Sequence, residues 1–224
     1  MSTRITQKDF HAVPDLPDWR AILGRVEATF TAASFSAGTA FAHRVAAVAD
    51  ALDHHPDIDV RYPGRVRIVL VTHASNGLTN LDVELAHTIS ALATEDGLAS
   101  EPLLATRVEI AIDALDIDAV RPFWQAVLAY QEEPASTPGG QVRALVDPLR
   151  IGPAVWFQQM DAARPQRNRI HIDVTVAHDE AESRLAATLA AGGRLLTDEY
   201  ARAFWVLADL EGNEACICTW QDRD

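Results

Sequence analysis

The sequence of 224 residues lacks several features that would place it in a particular class of proteins. No apolar run approaches the roughly 20 residues of a membrane-spanning helix, and the first residues lack the apolar stretch of a secretory signal. Only two cysteines occur, and Cys216 and Cys218 lie too close in sequence for an ordinary cross-linking disulfide. The 19 basic residues are outnumbered by 32 acidic ones, and a net charge of −13 argues against a nucleic-acid surface. We therefore expect a cytoplasmic protein that has neither a membrane nor a nucleic acid as its partner.

The uneven distribution of charge indicates two units. Residues 1–94 hold 8 basic and 10 acidic side chains, whereas residues 95–224 hold 11 and 22. A solvated acidic face would explain this asymmetry equally well. Residues 95–105 contain Gly97 and Pro102 between two periodic regions, which is typical of a connecting segment. We therefore predict a first domain at 1–94, a linker at 95–105 and a second domain at 106–224.

The first 94 residues have the pattern of an α+β domain. The long helix predicted in this region has apolar residues at three- and four-residue steps, and it stops before Pro56, which forbids its continuation. Asp50 and His54 are four residues apart, so they could meet near the end of this helix. Thr79 and Asp82 have the spacing of a capping box at the start of the last helix. The predicted order is helix, strand, strand, helix, strand, strand, helix, at residues 5–12, 19–23, 25–30, 34–52, 58–62, 66–72 and 79–93.

Three histidines are candidates for function because of where they lie. His54 and His55 follow the long helix, and His73 follows a strand. Imidazole donates and accepts protons near neutral pH, since its unperturbed pKa is about 6.5, so the three residues could form an acid–base site. A single histidine at a helix end more often only complements the helix dipole, and His73 alone would be an ordinary loop residue. Shared metal binding is disfavoured, because adjacent histidines rarely hold one ion and no Cys or Glu completes a zinc-type spacing.

The wider pattern around these histidines resembles the signature of pterin-4a-carbinolamine dehydratases. The resemblance covers about residues 4–94. It implies an antiparallel sheet backed by helices and assembly into homo-oligomers. It also implies a hydro-lyase that dehydrates a 4a-hydroxytetrahydropterin to the quinonoid dihydropterin without a metal or an organic cofactor. The matching positions are Asp50, His54, His55, Pro56, Tyr62, His73, Gly77, Leu78, Thr79 and Asp82.

The same resemblance implies roles for individual residues. His54 and His73 would be the acid–base pair of the catalytic site, and His55 would hold the substrate. Asp50 or Asp82 would orient or support the site. The stretch between Tyr62 and His73 is one residue longer than the commonest spacing of the family, and the turn at 63–64 would absorb the difference. The residues expected to bind the pterin substrate are Asp50, Pro56, Tyr62 and Asp82.

An internal repeat organises the second half of the chain. Residues 107–112 resemble residues 169–174, and each segment is an alternating strand followed by an acidic turn and a helix, at 119–130 and 180–191. Further strand-like segments follow each helix. The sequence therefore predicts two tandem βαβββ repeats, with later strands at 144–146, 154–159, 204–207 and 214–219.

These repeats resemble a glyoxalase-like domain of the vicinal oxygen chelate superfamily over about residues 105–221. In metal-bearing members of that superfamily, one ligand comes from the first strand and one from the last strand of each repeat. Glu109 and His171 occupy the first-strand positions, whereas the last-strand positions fall near Gln158 and Cys216, neither of them the usual carboxylate. We therefore favour a domain without a metal, in which Glu109 and His171 line a polar pocket or face solvent. The resemblance rests on residues 116–124, 128, 168–173, 191–193 and 209–213.

Two other interpretations compete with a dehydratase that carries an accessory domain. The N-terminal fold could be a non-catalytic dimerisation, regulatory or small-molecule-binding module, or the activity could reside mainly in the glyoxalase-like domain. The three histidines together with Pro56 favour the enzyme, because a purely structural module has no need of them. The incomplete set of metal ligands counts against an activity that resides mainly in the second half.

Overall fold

The computed structural model describes residues 2–133, 144–163, 171–176, 178–219 and 221–222. The chain divides into two compact units, and the division falls between Arg107 and Val108. None of the described helices is long and apolar enough to cross a bilayer. The domain boundaries predicted at 94 and 105 stay predictions.

The first unit is an antiparallel sheet with two long helices packed on one face, which confirms the α+β prediction. The strand order is β1-β2-β4-β3, and β5 pairs with the end of β2. Alternate apolar residues of β2 and β4 meet those of α2 and α3 in a continuous core around Phe30, Phe41, Ile68, Leu85 and Ile89. The elements are α1 (Gln7–His11), β1 (Arg20–Ile22), β2 (Arg25–Thr31), α2 (Phe35–Leu52), β3 (Asp57–Arg61), β4 (Arg65–Leu70), α3 (Asn80–Glu95) and β5 (Ala99–Ser100).

The way in which α2 ends determines the directions of His54 and His55. Ser34 caps the start of this helix, where its side chain accepts a hydrogen bond from the Ala37 N–H. At the other end Asp53 takes a left-handed conformation with φ of 49°, which an aspartate tolerates better than most residues. The chain therefore leaves the helical path before His54, and the side chains of Asp50 and His54 do not form the predicted pair. That prediction was wrong, because four-residue spacing brings side chains together only while the helix continues.

The segment predicted as a linker runs along the sheet of the first unit. Its strand β5 pairs with Phe30 and Thr31, and the Glu101 N–H donates to the Thr29 carbonyl at 2.8 Å. A short 3-10 turn follows at Pro102–Leu104. These backbone bonds attach the segment to an ordered strand.

The second unit consists of two βαβββ repeats, as the internal repeat predicts. Each repeat forms a four-stranded sheet whose first strand pairs in parallel with its last, in the orders β6-β9-β8-β7 and β10-β13-β12-β11. Phe123, Trp124, Leu145, Leu207 and Ile217 belong to one shared core. The elements are β6 (Glu109–Ala114), α4 (Ile117–Leu128), β7 (Gln131–Glu132), β8 (Ala144–Val146), β9 (Ala154–Gln159), β10 (Ile172–Thr175), α5 (Ala181–Ala190), β11 (Arg194–Thr197), β12 (Phe204–Ala208) and β13 (Glu214–Cys218).

Part of one predicted motif cannot be placed in this fold. The stretch 168–173 opens the second repeat, and its residues Asn168, Arg169 and Ile170 lie outside the described residues. Of the described part, Ile172 and Asp173 begin β10, and His171 directly precedes that strand.

Candidate functional site

A buried histidine–carboxylate pair joins the end of α2 to the start of α3. His54 lies just beyond α2 and is 6% exposed, and Asp82 in the first turn of α3 is fully buried. The His54 Nε2 and Asp82 Oδ1 atoms are 2.9 Å apart. The two residues are far apart in sequence, and only the packing of α2 beside α3 brings them together.

The second carboxylate oxygen of Asp82 is held by two threonines. Its Oδ2 accepts hydrogen bonds from the Thr79 N–H at 2.7 Å and from the Thr72 hydroxyl at 2.9 Å. The two threonine hydroxyl oxygens are themselves 2.7 Å apart. The capping box predicted from the spacing of Thr79 and Asp82 is present. Asp82 therefore both caps α3 and fixes the ring of His54.

The geometry assigns the two ring nitrogens of His54. A carboxylate only accepts hydrogen bonds, so Nε2 carries the hydrogen that points to Asp82. Nδ1 then has the free lone pair. Nδ1 makes no hydrogen bond to any described residue. Every fully buried side-chain nitrogen among the described residues has a partner, so Nδ1 must be reachable by solvent. His54 is thus oriented to accept a proton at Nδ1, and the imidazolium that results would be stabilised by the carboxylate of Asp82.

His55 forms a second, open pair with Asp50. Its Nε2 lies 3.0 Å from Asp50 Oδ1, and the side chains are 56% and 76% exposed. His54 is buried in the core, whereas the neighbouring His55 faces solvent. His55 is therefore accessible to a ligand, and Asp50 orients it.

Of the other predicted site residues, His73 and Pro56 adjoin this network along the chain, whereas Tyr62 lies at the opposite end of β3, before the turn into β4. His73 is exposed and begins the 3-10 turn after β4. It follows Thr72 directly, so the residue that holds Asp82 also positions the backbone of His73. Pro56 is half-buried and Tyr62 is 86% exposed. Among the described residues, the sequence-predicted set thus forms two pairs, with His73 adjacent to the first.

Thr72 was missed by the sequence reasoning, although a signal was present. It continues the inward-facing alternation of Ile68 and Leu70, so a buried hydroxyl was to be expected at the end of the strand. A buried hydroxyl needs a partner. The alternation of buried residues does not reveal that partner, which is the carboxylate of Asp82 on α3.

In the second unit, the candidate ligands gather in one repeat. Ligand atoms of His171, Asp173 and Cys216 lie within 4.8 Å of one another, and Glu109 is not part of this group. Gln158 lies opposite Asp113, four residues along the strand from Glu109. Within the described part of this unit, the positions that the resemblance implies in the two repeats do not form one cluster of ligands. Burial above all, and next the neighbouring carboxyl of Asp173, raise the pKa of the Cys216 thiol to about 12.

Comparison with known protein families divides the chain in the same way. A family model described as Pterin 4 alpha carbinolamine dehydratase matches residues 3–92. A second model, described as Glyoxalase-like domain, matches residues 109–218. The first match contains every histidine of the candidate site, and the second contains both βαβββ repeats.

Individual relatives give the same division. A protein of Acidobacterium capsulatum named "Putative pterin-4-alpha-carbinolamine dehydratase" is 46% identical over 77 residues, which are 34% of this chain and 83% of that protein. A protein of the same name from Thermosynechococcus vestitus is 37% identical over 94 residues, 42% of this chain and 98% of that protein.

Solved structures resemble each half separately. A transcriptional coactivator/pterin dehydratase from Brucella melitensis is 31% identical, with a TM-score of 0.38, over 41% of this chain and 99% of that one. A glyoxalase/bleomycin resistance protein/dioxygenase family enzyme from Burkholderia phytofirmans is 19% identical, with a TM-score of 0.40, over 50% of this chain and 95% of that one.

Proposed function

Because the chain belongs through its N-terminal unit to the pterin-4-alpha-carbinolamine dehydratase family, we propose that it dehydrates 4a-hydroxytetrahydropterins to quinonoid dihydropterins. The observation that carries the proposal is the buried contact between His54 Nε2 and Asp82 Oδ1, next in space to the Thr72–His73 segment. This contact gives His54 a defined proton-accepting nitrogen at the surface of an otherwise apolar core.

The reaction needs two proton transfers. The bond between carbon 4a and its hydroxyl oxygen breaks as an acid gives that oxygen a proton, and water leaves. A base removes the proton of a ring nitrogen, whose electron pair forms the new double bond. Positioned acids and bases each contribute about 10² to 10⁴ in rate. Two imidazoles, one neutral and one protonated, supply both groups near neutral pH.

The structure supports a division of roles among the residues. His54 would be the base, because its Nδ1 has the free lone pair and Asp82 would stabilise its protonated form. His73, which is exposed beside the same network, would be the acid that protonates the leaving oxygen. His55, oriented by Asp50, would hold the substrate. Pro56 would complete the binding surface beside His55. Tyr62, at the opposite end of β3, stays a prediction of the family resemblance only.

The proposal extends to the organisation of the protein. We propose that the glyoxalase-like domain is accessory to the dehydratase and that the chain forms homo-oligomers, as the resemblance implies. Light scattering of the full chain on a sizing column tests the second point. A single peak at the mass of one chain, 24.4 kDa, would contradict it.

A stopped-flow assay of the full chain tests the proposed reaction. The substrate is a 4a-hydroxytetrahydropterin, and the measured quantity is the rate of quinonoid dihydropterin formation above the uncatalysed rate. His54→Ala and His73→Ala should each lose about 10² to 10⁴ of this rate. His43→Ala is the matched control, because His43 is an exposed histidine of α2 far from the helix end. Full turnover in both of the first two variants would overturn the proposal.

A further inference from the structure

The N-terminal segment of the chain, residues 3–5, pairs with residues 78–80 where α3 begins. Arg4 faces Thr79 in an antiparallel bridge, and backbone hydrogen bonds of 2.9 and 3.0 Å flank this bridge. The Thr79 N–H in turn donates to the carboxylate of Asp82. The segment is therefore attached to a residue that orients the carboxylate of the proposed site.

The side chain of Arg4 lies on the loop that carries His73. Arg4 is exposed, whereas Gly77 at the end of this loop is buried. A Cβ atom added at Gly77 would be 3.1 Å from Arg4 Nη2 and 3.5 Å from Arg4 Nε. The guanidinium thus covers Gly77 so closely that a side chain at position 77 would press against it.

The same loop is closed on itself by hydrogen bonds. The Thr72 N–H donates to the Gly77 carbonyl at 3.0 Å. The Ser75 hydroxyl lies 3.2 Å from the Thr72 carbonyl and 3.3 Å from the Gly77 carbonyl. His73 is exposed, so the backbone of this loop, and not burial of the ring, determines where the imidazole lies. A contact that holds Gly77 in place therefore also holds His73.

We propose that Arg4 is a positioning residue of the dehydratase site. Its guanidinium holds Gly77 in place and, through Gly77, the loop of His73. The inference rests on the function proposed above. Proton transfer needs a defined geometry, and a displacement of about 1 Å can cost on the order of 10² in rate. Arg4 restricts the loop to the arrangement in which His73 lies beside the buried histidine–carboxylate pair.

Stopped-flow kinetics of the full chain test this role. Arg4→Ala should lower kcat by about tenfold with little change in KM, because the acid is less often in place while the substrate contacts remain. Arg4→Lys should restore part of the rate, since an ammonium group keeps the charge but lacks the planar guanidinium. Lys8→Ala is the matched control, an exposed cation of α1 in the same region of the chain, and it should keep the wild-type kcat.

A double-mutant cycle shows whether Arg4 acts through Gly77. The φ of Gly77 is not in the left-handed region, so alanine is compatible with its backbone. Gly77→Ala should lower kcat, because the added methyl group displaces the guanidinium. In the Arg4→Ala background the same substitution should cost much less. Additive effects would overturn the proposal, and so would a raised KM at unchanged kcat in Arg4→Ala, which would make Arg4 a substrate ligand.

Amide hydrogen exchange gives a readout that does not depend on turnover. The N–H groups of Thr72, Ser75 and Asn76 are hydrogen-bonded within the loop. In Arg4→Ala they should exchange about tenfold faster, while the amides of β2 and β4 keep their wild-type rates. Unchanged exchange in the loop, or equal acceleration throughout the first unit, would overturn the proposal. If the wild-type chain lacks turnover but the loop responds in this way, the dehydratase function fails and the hold of Arg4 on the loop stands.

Discussion

Two histidine–aspartate pairs, one in each unit of the chain, have similar nitrogen-to-oxygen distances but very different surroundings. In the first unit the pair of His54 and Asp82 is 2.9 Å long and its side chains are 6% and 0% exposed. In the second unit the pair of His171 and Asp173 is 3.2 Å long, with 52% and 58% exposure. The buried pair can adopt one arrangement only, because threonine donors and helix packing surround the carboxylate. The exposed pair can rotate apart.

This difference decides what each pair is suited to do. Removing one partner of a buried pair costs about 3 to 5 kcal/mol, whereas an exposed pair contributes about 0 to 1 kcal/mol. A pair that cannot rearrange fixes the ring orientation and the position of the proton, as proton transfer requires. A pair held weakly can change its arrangement at little cost in free energy. The predictions below test this contrast, from the largest expected effect to the smallest.

Asp82→Asn should reduce the dehydratase rate by about 10² to 10⁴. If the Asn oxygen keeps the Thr79 N–H, its amide nitrogen faces His54 and forces the ring hydrogen from Nε2 to Nδ1, so the base is lost. Asp9→Asn is the matched control, because Asp9 forms the same capping box with Thr6 at the start of α1, with no histidine bound to it. Stopped-flow rates of the two variants measure the effect. Equal rates would show that Asp82 only caps a helix.

Thr72→Val should lower kcat by about tenfold with little change in KM. The substitution keeps the shape of the side chain and removes a hydrogen bond to a charged group, worth about 1.5 kcal/mol or more. Thr72→Ser should restore the rate. Thr29→Val is the control, a buried threonine of the same sheet whose hydroxyl makes no hydrogen bond to a described residue. Nitrogen NMR of the His54 ring gives a second readout, in which Thr72→Val should shift the tautomer equilibrium away from Nε2–H.

His55→Ala should raise KM by a few fold, on the order of 1 kcal/mol, and leave kcat nearly unchanged. The exposed ring would contribute to holding the substrate and take no part in the proton transfers. Steady-state kinetics of this variant beside His43→Ala provide the measurement. A fall in kcat as large as that of His54→Ala would assign the proton transfer to the exposed pair instead.

Asp173→Asn should change the free energy of unfolding of the chain by less than about 1 kcal/mol. The exposed pair that it breaks is solvated in the folded and unfolded chain alike. Urea unfolding monitored by circular dichroism compares this variant with Asp82→Asn, which should be clearly less stable. A larger loss for Asp173→Asn would mean that the open pair is a structural one.

The smallest expected effect is the contribution of Glu27 to folding stability, and its pH dependence tests the direction of the pKa shift. This carboxylate is 4% exposed and is 3.0 Å from an Arg67 guanidinium nitrogen and 2.5 Å from one of Arg107. Burial raises the pKa of Glu27 above its ordinary value of 4.5, although Arg67 opposes the shift. A group whose pKa is raised in the folded chain stabilises the fold fully at pH values below its ordinary pKa. This stabilisation is lost as the pH rises through the pKa of the group in the folded chain.

The stability of the wild-type chain relative to Glu27→Gln should therefore fall as the pH rises from about 4. Asp9 has the opposite sign, because hydrogen bonds from the Thr6 backbone N–H and then the Thr6 hydroxyl lower its pKa. Relative to Asp9→Asn, the wild-type chain should gain stability as the pH rises towards 3.8, the ordinary pKa of Asp9, and should then change no further. Denaturant midpoints measured below and above about pH 4 check both directions. The two pKa shifts would be contradicted if the stability difference from the wild-type chain changed with pH in the same direction for both variants.

Local patterns predicted most of the fold. The alternation of β2 and β4, the spacing along α2 and the repeat in the second half each concern neighbouring residues, and the elements formed where they were expected. The capping box of Thr79 and Asp82 was predicted for the same reason, since its partners are three residues apart. The pairing of Asp50 with His54 was wrong, because one left-handed residue at Asp53 ends the helical geometry on which it depended.

The amino-acid sequence by itself determined the order of the elements, the two-part division of the chain and the presence of histidines at two element ends. Only the tertiary structure decided which distant side chains His54 and His171 meet. His54 turned to Asp82 rather than Asp50, and His171 lies beside Cys216 rather than Glu109. The physical reason is range: helix and strand periodicity and helix capping depend on residues close in sequence, whereas these contacts depend on how α2 packs beside α3 and on the parallel register of β10 with β13.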